Sequence, residues 1–186
     1  MTTLEGRDAT ALLVVDVQND VMKASINAAP VIANIASLVE RARAADVPVV
    51  WVQHSDDDLP IGSEGWEYVP ELVAAEGEPV VHKLYGDSFE ATDLEQVLAE
   101  RGVGHLVVAG AQTDFCIRST IHGGFTRGYD VTLVKDAHTT EDLRKYGDFP
   151  PPEQVIHYYN ELWEGHSGPG RTAAVADTAD VAFRSM

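Results

Sequence analysis

Short runs of β-branched and other apolar residues recur along this chain with helix-patterned segments between them, and that alternation constrains the fold more than any other feature. Ala11-Leu-Leu-Val-Val15, Val47-Pro-Val-Val-Trp-Val52, Pro79-Val-Val81, Leu106-Val-Val-Ala109 and Tyr129-Asp-Val-Thr-Leu-Val134 read as strands, and Arg171-Thr-Ala-Ala-Val175 reads as a sixth. Near-continuous apolar strands are typical of sheets buried on both faces. After the first strand, Val31, Ile32, Ile35, Leu38 and Val39 fall at helical spacing behind Pro30, with Asn34, Ser37, Glu40 and Arg41 on the polar side. Thr92-Asp-Leu-Glu95 has the form of a capping box, so a helix is expected from there to a stop at Arg101-Gly102. A further helix follows Cys116 through Ile121 and Phe125 to Gly128, with Gly123-Gly124 read as a packing or dimer contact, and Pro151 to Trp163 reads as the last major helix. Strands joined through right-handed helical crossovers cover both faces of one sheet. The expected fold class is therefore α/β, a three-layer α/β/α sandwich around a six-stranded parallel sheet of Rossmann-like type, with residues 1–186 forming a single domain.

Three of these strands end in residues that carry chemistry. Asp16 closes the first, Lys83 closes the third, and Cys116, the only cysteine, follows the fourth within Gly110-Ala-Gln-Thr-Asp-Phe-Cys-Ile117. In parallel α/β sheets the crevice beyond the strand C-termini is where ligands bind, so an acid, an ammonium and a thiol are expected at one edge. A helix N-terminus carries partial positive charge and unpaired N–H groups, so the thiol is expected to ionise readily there. Asp16 suits a general base, Cys116 a nucleophile, and Lys83 a cation that favours both anions. The Cys116 N–H at a helix start is a candidate donor to an oxyanion. Each residue also has a plainer reading: a small buried hydrophobe, a strand-end cap, and an ion pair without a catalytic role.

Asp16-Val-Gln-Asn-Asp20, Lys83 followed by Asp87-Ser-Phe-Glu-Ala-Thr92, and Gly110-Ala-Gln-Thr-Asp-Phe-Cys-Ile117, in that order, resemble the isochorismatase-like cysteine hydrolases. That family includes nicotinamidases, N-carbamoylsarcosine amidases, ureidoacrylate and biuret hydrolases, streptothricin hydrolases and true isochorismatases. The likeness runs from about Ala11 to about Thr140. It implies a catalytic triad of Asp16, Lys83 and Cys116, a six-stranded sheet, and assembly as a homodimer or homotetramer. It also implies a cis peptide between Ala111 and Gln112, which would present the Gln112 N–H as a second oxyanion donor. Gln18, His54, Trp66, Tyr85, Phe89 and Phe115 are the candidates for substrate contact. Nicotinamidase relatives hold a divalent ion on an aspartate and two histidines; His54, Asp56 and His82 are the candidates here. The family's Asp-x-His pattern is absent and Ser55 to Glu78 contains no histidine, so neither a metal nor another cofactor is expected. A thiol at position 116 favours cleavage of an amide, lactam or ureido C–N bond through a thioester. An acid-catalysed vinyl-ether hydrolase using Asp16 alone, or a catalytically silent scaffold, stay open as alternatives.

The formal charge of −17 would repel phosphate backbones and anionic headgroups, so the expected partner is a small molecule rather than nucleic acid or membrane. Asp56-Asp57-Asp58 and Glu64 keep a cationic substrate open as a possibility. They lie in Ser55 to Glu78, the longest irregular segment, where a pocket wall is expected and where Val69 to Ala75 could hold a short helix. There is no basic N-terminus leading into an apolar signal core, and no apolar stretch nears the roughly 18 residues of a membrane span. A single cysteine cannot form an internal disulfide and keeps its reactivity best in a reducing compartment, so a cytoplasmic protein is expected.

Overall fold

Side chains of a strand alternate between the two faces of its sheet, and the first strand shows how both faces become buried. In the computed structural model, which describes residues 2–183, strand β1 spans Ala9–Val15. Its Leu12 and Val14 pack against Val31, Ile35, Leu38 and Val39 of helix α2 (Ala28–Ala44), which follows the short helix α1 (Asn19–Ala24). Its Ala11, Leu13 and Val15 point the other way, into a second core with Leu94 and Leu98 of α3 (Leu94–Ala99), Ile121 and Phe125 of α4 (Arg118–Arg127), and Trp163 of α5 (Pro152–Glu164). Two apolar layers thus sandwich the sheet, giving the three-layer α/β architecture. Met1 and residues 184–186, which the single-domain reading takes in, lie outside the described residues.

The remaining strands are β2 (Val49–His54), β3 (Val80–Lys83), β4 (Val103–Ala111), β5 (Asp130–Thr139), β6 (Ser167–Gly168) and β7 (Arg171–Ala176), in the order β3-β2-β1-β4-β5-β7-β6. The sheet has seven strands and is mixed, which corrects the expectation of six parallel ones. All neighbours pair in parallel except β6, which runs antiparallel to β7. This two-residue edge strand folds back through Pro169-Gly170, with Gly170 at φ 69°, and has no hydrophobic pattern to announce it.

Three local expectations are also corrected. Val69–Ala75 forms turns rather than a helix, with Val69 and Leu72 buried separately. The capping box at Thr92 does not close: helix α3 begins at Leu94, and Thr92 Oγ1 donates to the Ser88 carbonyl at 2.6 Å. Glu95 is instead taken by Arg7 at 2.7 Å and by the Tyr129 hydroxyl at 2.8 Å, partners far away in sequence. Strand β5 runs five residues past Val134 because its pairing with β4 slips, from Val108↔Leu133 to Gly110↔His138. The slip inserts a bulge and sets His138 beside the end of β4.

Gly123 and Gly124 are intramolecular packing positions. A Cβ at Gly123 would stand 2.4 Å from Asp87 Oδ1, and one at Gly124 would stand 2.9 Å from Leu106 Cδ1. Helix α4 therefore lies close over the sheet and over the segment that follows Lys83.

Candidate active site

The ends of β1 and β4 meet because Gly110 has no side chain. Gly110 pairs with Val15 at φ 130°, and a Cβ there would fall 2.0 Å from the Val15 carbonyl oxygen. The chain leaves β1 through Asp16 at φ 53°, a conformation that Asp tolerates better than most residues, and the carboxylate ends up 2% exposed. It leaves β4 through the cis peptide Ala111–Gln112 and enters a π-helical turn, Thr113–Ile117, that carries the thiol.

Lys83, 1% exposed at the end of β3, joins the two. Its Nζ lies 2.7 Å from Asp16 Oδ2, 3.1 Å from Cys116 Sγ and 3.3 Å from His54 Nδ1. The Asp16 carboxylate therefore faces both the Lys83 ammonium and the Cys116 thiol, which places it to receive the thiol proton. Burial alone would push Lys83 down, yet Asp16 and Cys116 outweigh it and hold the ammonium above the ordinary lysine value. Burial and the Asp16 charge push the Cys116 thiol up to about 12, against the lowering effect of Lys83. Burial first, and then the neighbouring carboxylate, thus work against the ready ionisation expected of a thiol at a helix start. With the thiol pushed up in this way, attack on a carbonyl requires a base to take its proton, and Asp16 is the neighbouring candidate.

The other candidates separate into groups. His54 packs against Lys83 Nζ, and its Nε2 meets Asp56 Oδ2 at 3.1 Å. His82, its neighbours alternating, is exposed and stacks on Trp66 at 5.8 Å between ring centroids. Among the described residues no group of three His, Cys, Asp or Glu side chains is placed to hold a metal ion. Gln18 is fully buried and uses its amide on the backbone: Nε2 donates to the carbonyls of His54 (2.9 Å) and Trp66 (2.8 Å), and Oε1 accepts from His54 N at 2.9 Å. Phe89 belongs to the core, against Tyr129 and beneath the Arg127 guanidinium. Gln18 and Phe89 thus stand behind the site, while Tyr85 and Phe115 are more than half exposed around it.

A cavity of about 410 Å³ adjoins the thiol-bearing turn through Asp114 and is walled by Glu141, Leu143, Phe149, Tyr158 and Tyr159. None of its lining residues comes from the expected wall at Ser55 to Glu78. The irregular stretch Thr140 to Pro151 was the available signal, since it also joins two regular elements next to a strand end. Its aromatic residues only become a wall once α5 packs beside the turn.

An acid, a cation and a thiol within direct contact distance at the strand C-termini of a three-layer α/β sandwich define a cysteine hydrolase site. The isochorismatase-domain family profile matches residues 10–146, and the chain belongs to the isochorismatase family. It is 32% identical over 141 residues to the secreted isochorismatase effector Isc1 of Verticillium dahliae, covering 72% of this chain and 74% of that one. It is 32% identical over 187 residues to the ureidoacrylate amidohydrolase RutB of an Enterobacter species, covering 74% and 81%. The crystal structure of an isochorismatase from Pseudomonas putida superposes with a TM-score of 0.84 at 26% identity, covering 93% and 90%. The chain carries the hydrolase fold of the family together with a Cys116–Lys83 pair suited to amidohydrolase chemistry.

Proposed function

We propose that this protein hydrolyses an amide, lactam or ureido C–N bond of a small molecule through a thioester on Cys116, with no metal or cofactor. The observation that carries the reading is Lys83 Nζ lying in contact with both Asp16 Oδ2 and Cys116 Sγ. As the Cys116 sulfur forms its bond to the substrate carbonyl carbon, Asp16 takes the thiol proton. The carbonyl oxygen becomes an oxyanion, for which the N–H groups of Gln112 and Cys116 are the assigned donors. Collapse breaks the C–N bond, the leaving nitrogen receives the proton from Asp16, and the thioester remains. Water then gives its proton to Asp16 while attacking the thioester, and that proton returns to the departing sulfur. Lys83 stays an ammonium throughout and offsets the negative charge that passes between carboxylate and thiolate.

His54, Trp66, Tyr85 and Phe115 are assigned to the mouth of the site and the Asp114 cavity to the body of the substrate. Residues 1–186 act as one domain, and the working protein is a cytoplasmic homodimer or homotetramer that engages neither nucleic acid nor membrane. In support, no helix among the described residues is long and apolar enough to cross a membrane. A second reading, vinyl-ether hydrolysis with Asp16 as the acid, draws on the same buried carboxylate and on the name of the fungal relative.

The test is hydrolysis of a panel of amides, lactams, ureido acids and nicotinamide, read as ammonia release or, for the lactams, as the free amine formed on ring opening, using wild type and Cys116→Ala with and without a chelator. Turnover lost in the variant and retained with chelator is the expected outcome. If no member of the panel turns over, isochorismate is the next substrate, and its turnover surviving Cys116→Ala but not Asp16→Asn would transfer the assignment to the vinyl-ether route.

A further inference from the structure

We infer that His138 is a positioning residue for the reaction: its buried neutral imidazole locks the turn that presents Cys116 and the Gln112 N–H. This rests on the thiol reading above and concerns a residue outside the Asp16, Lys83 and Cys116 set.

The slip in β5 pairing places His138 opposite Gly110, and the side chain is 2% exposed. Its Nδ1 lies 2.8 Å from Thr113 Oγ1, and Thr113 is the fully buried first residue of the thiol-bearing turn. Its Nε2 lies 3.0 Å from Asn160 Oδ1 on α5. The direction of every bond in this chain follows from its far end. Asn160 Nδ2 donates to the Lys135 carbonyl at 3.3 Å, which leaves Oδ1 as an acceptor. His138 must then donate from Nε2, so its Nδ1 carries a lone pair and the Thr113 hydroxyl donates to it. Burial lowers the His138 pKa and favours this neutral form.

The relay ties the turn to two elements at once, the end of β5 and helix α5. The residues after His138 add further fastenings on the same side. Thr140 Oγ1 lies 3.0 Å from Gln112 Oε1 and 2.5 Å from Asp114 Oδ1, and the Glu141 N–H donates to Gln112 Oε1. The Thr113–His138 bond holds the turn at a residue that lies, along the chain, between the two amides assigned to the oxyanion. Releasing it lets Gln112 and Cys116 move relative to Asp16. A displacement near 1 Å at a reacting group can cost about a hundredfold in rate.

Four variants, Thr113→Val, His138→Gln, their combination and His138→Asn, separate positioning from folding. Asn places an acceptor where Nδ1 stood and keeps the Thr113 bond. Gln reaches the Nε2 position and keeps only the Asn160 bond. Thr113→Val and His138→Gln are expected to lower kcat by roughly tenfold or more with KM unchanged, the combination no further than either alone, and His138→Asn to stay within about threefold of wild type. The Cys116 alkylation rate with iodoacetamide, read without any substrate, is expected to shift in Thr113→Val and His138→Gln and to be restored in His138→Asn. Loss of thermal stability with kcat and alkylation rate unchanged, or a His138→Asn variant as impaired as His138→Gln, overturns the inference. If wild type turns over none of the panel, the hydrolase reading fails, while the alkylation arm still decides whether His138 positions the thiol.

Discussion

Two ion pairs of this protein use the same chemistry for opposite ends. Glu78 receives Arg43 through two nitrogens at 2.7 and 2.8 Å, the Trp51 indole N–H at 2.7 Å and the Ala75 N–H at 2.8 Å. Asp16 receives Lys83 at 2.7 Å and faces the Cys116 thiol, with no backbone or indole N–H donor on either oxygen among the described residues. A carboxylate surrounded by donors is stabilised as an anion and is a poor base. Burial works against Glu78 ionisation, but Arg43 and the other donors outweigh it and hold the carboxyl at about 2. Asp16 lies in a dry site with only an ammonium and a thiol against it, the two groups the reaction uses. The difference teaches that the saturated pair fastens the segment before β3 to α2 and β2, whereas the unsaturated pair is kept for chemistry.

The largest expected effect breaks the reactive side. Cys116→Ala should lower turnover by about a thousandfold or more while thermal unfolding changes little, since a part-buried thiol contributes little packing. Lys83→Met should do two things at once. It leaves Asp16 as a buried unpaired charge, so stability should fall by about 3 kcal/mol in denaturant titration, and kcat should fall by about a hundredfold. Arg43→Met, by contrast, should leave kcat unchanged.

Glu78→Gln sharpens the saturated side. A carboxyl held at about 2 in the folded chain, against 4.5 ordinarily, ionises more readily folded than unfolded. Its contribution is therefore complete above about pH 4.5 and disappears as pH falls towards about 2. The variant should lose about 2 kcal/mol at neutral pH and show a flatter decline in stability across that acid window. An acid limb as steep as that of wild type would contradict the assignment.

The smallest effect separates the two roles of Asp16. Because its charge raises the Cys116 pKa and Lys83 lowers it, Asp16→Asn should lower that pKa. Alkylation by iodoacetamide near pH 8 should then be faster than in wild type, by a fewfold, even as turnover disappears with the base. Slower alkylation would show that Asp16 does not face the thiol in solution.

The alternation of apolar runs was sufficient to read six of the strands, the covering helices and the three residues at one sheet edge, because burial on both faces leaves a strong periodic signal. The extension of β5 and the failed capping box were illegible, since each depends on partners remote in sequence, the slipped β4 register and the Arg7 and Tyr129 groups that claim Glu95, whereas the adjacent hairpin strand β6 is only two residues long and too short to carry a pattern. Residue type likewise made Gln18 and Phe89 plausible at the site, and only packing shows Gln18 bonded to backbone and Phe89 in the core.

The sequence by itself determined which chemical groups stand at the ends of β1, β3 and β4, because strand order and the rule of right-handed crossovers bring those ends to one edge. Tertiary structure alone decided what acts on the Cys116 thiol and the Lys83 ammonium. The helix-start position argued for an ionised thiol, but burial and the neighbouring carboxylate outweigh it. It also decided what braces the thiol-bearing turn, for His138 reaches Thr113 only through a pairing slip that no local pattern encodes. Sequence patterns report what each segment buries; electrostatics and hydrogen bonding depend on what surrounds each group in three dimensions.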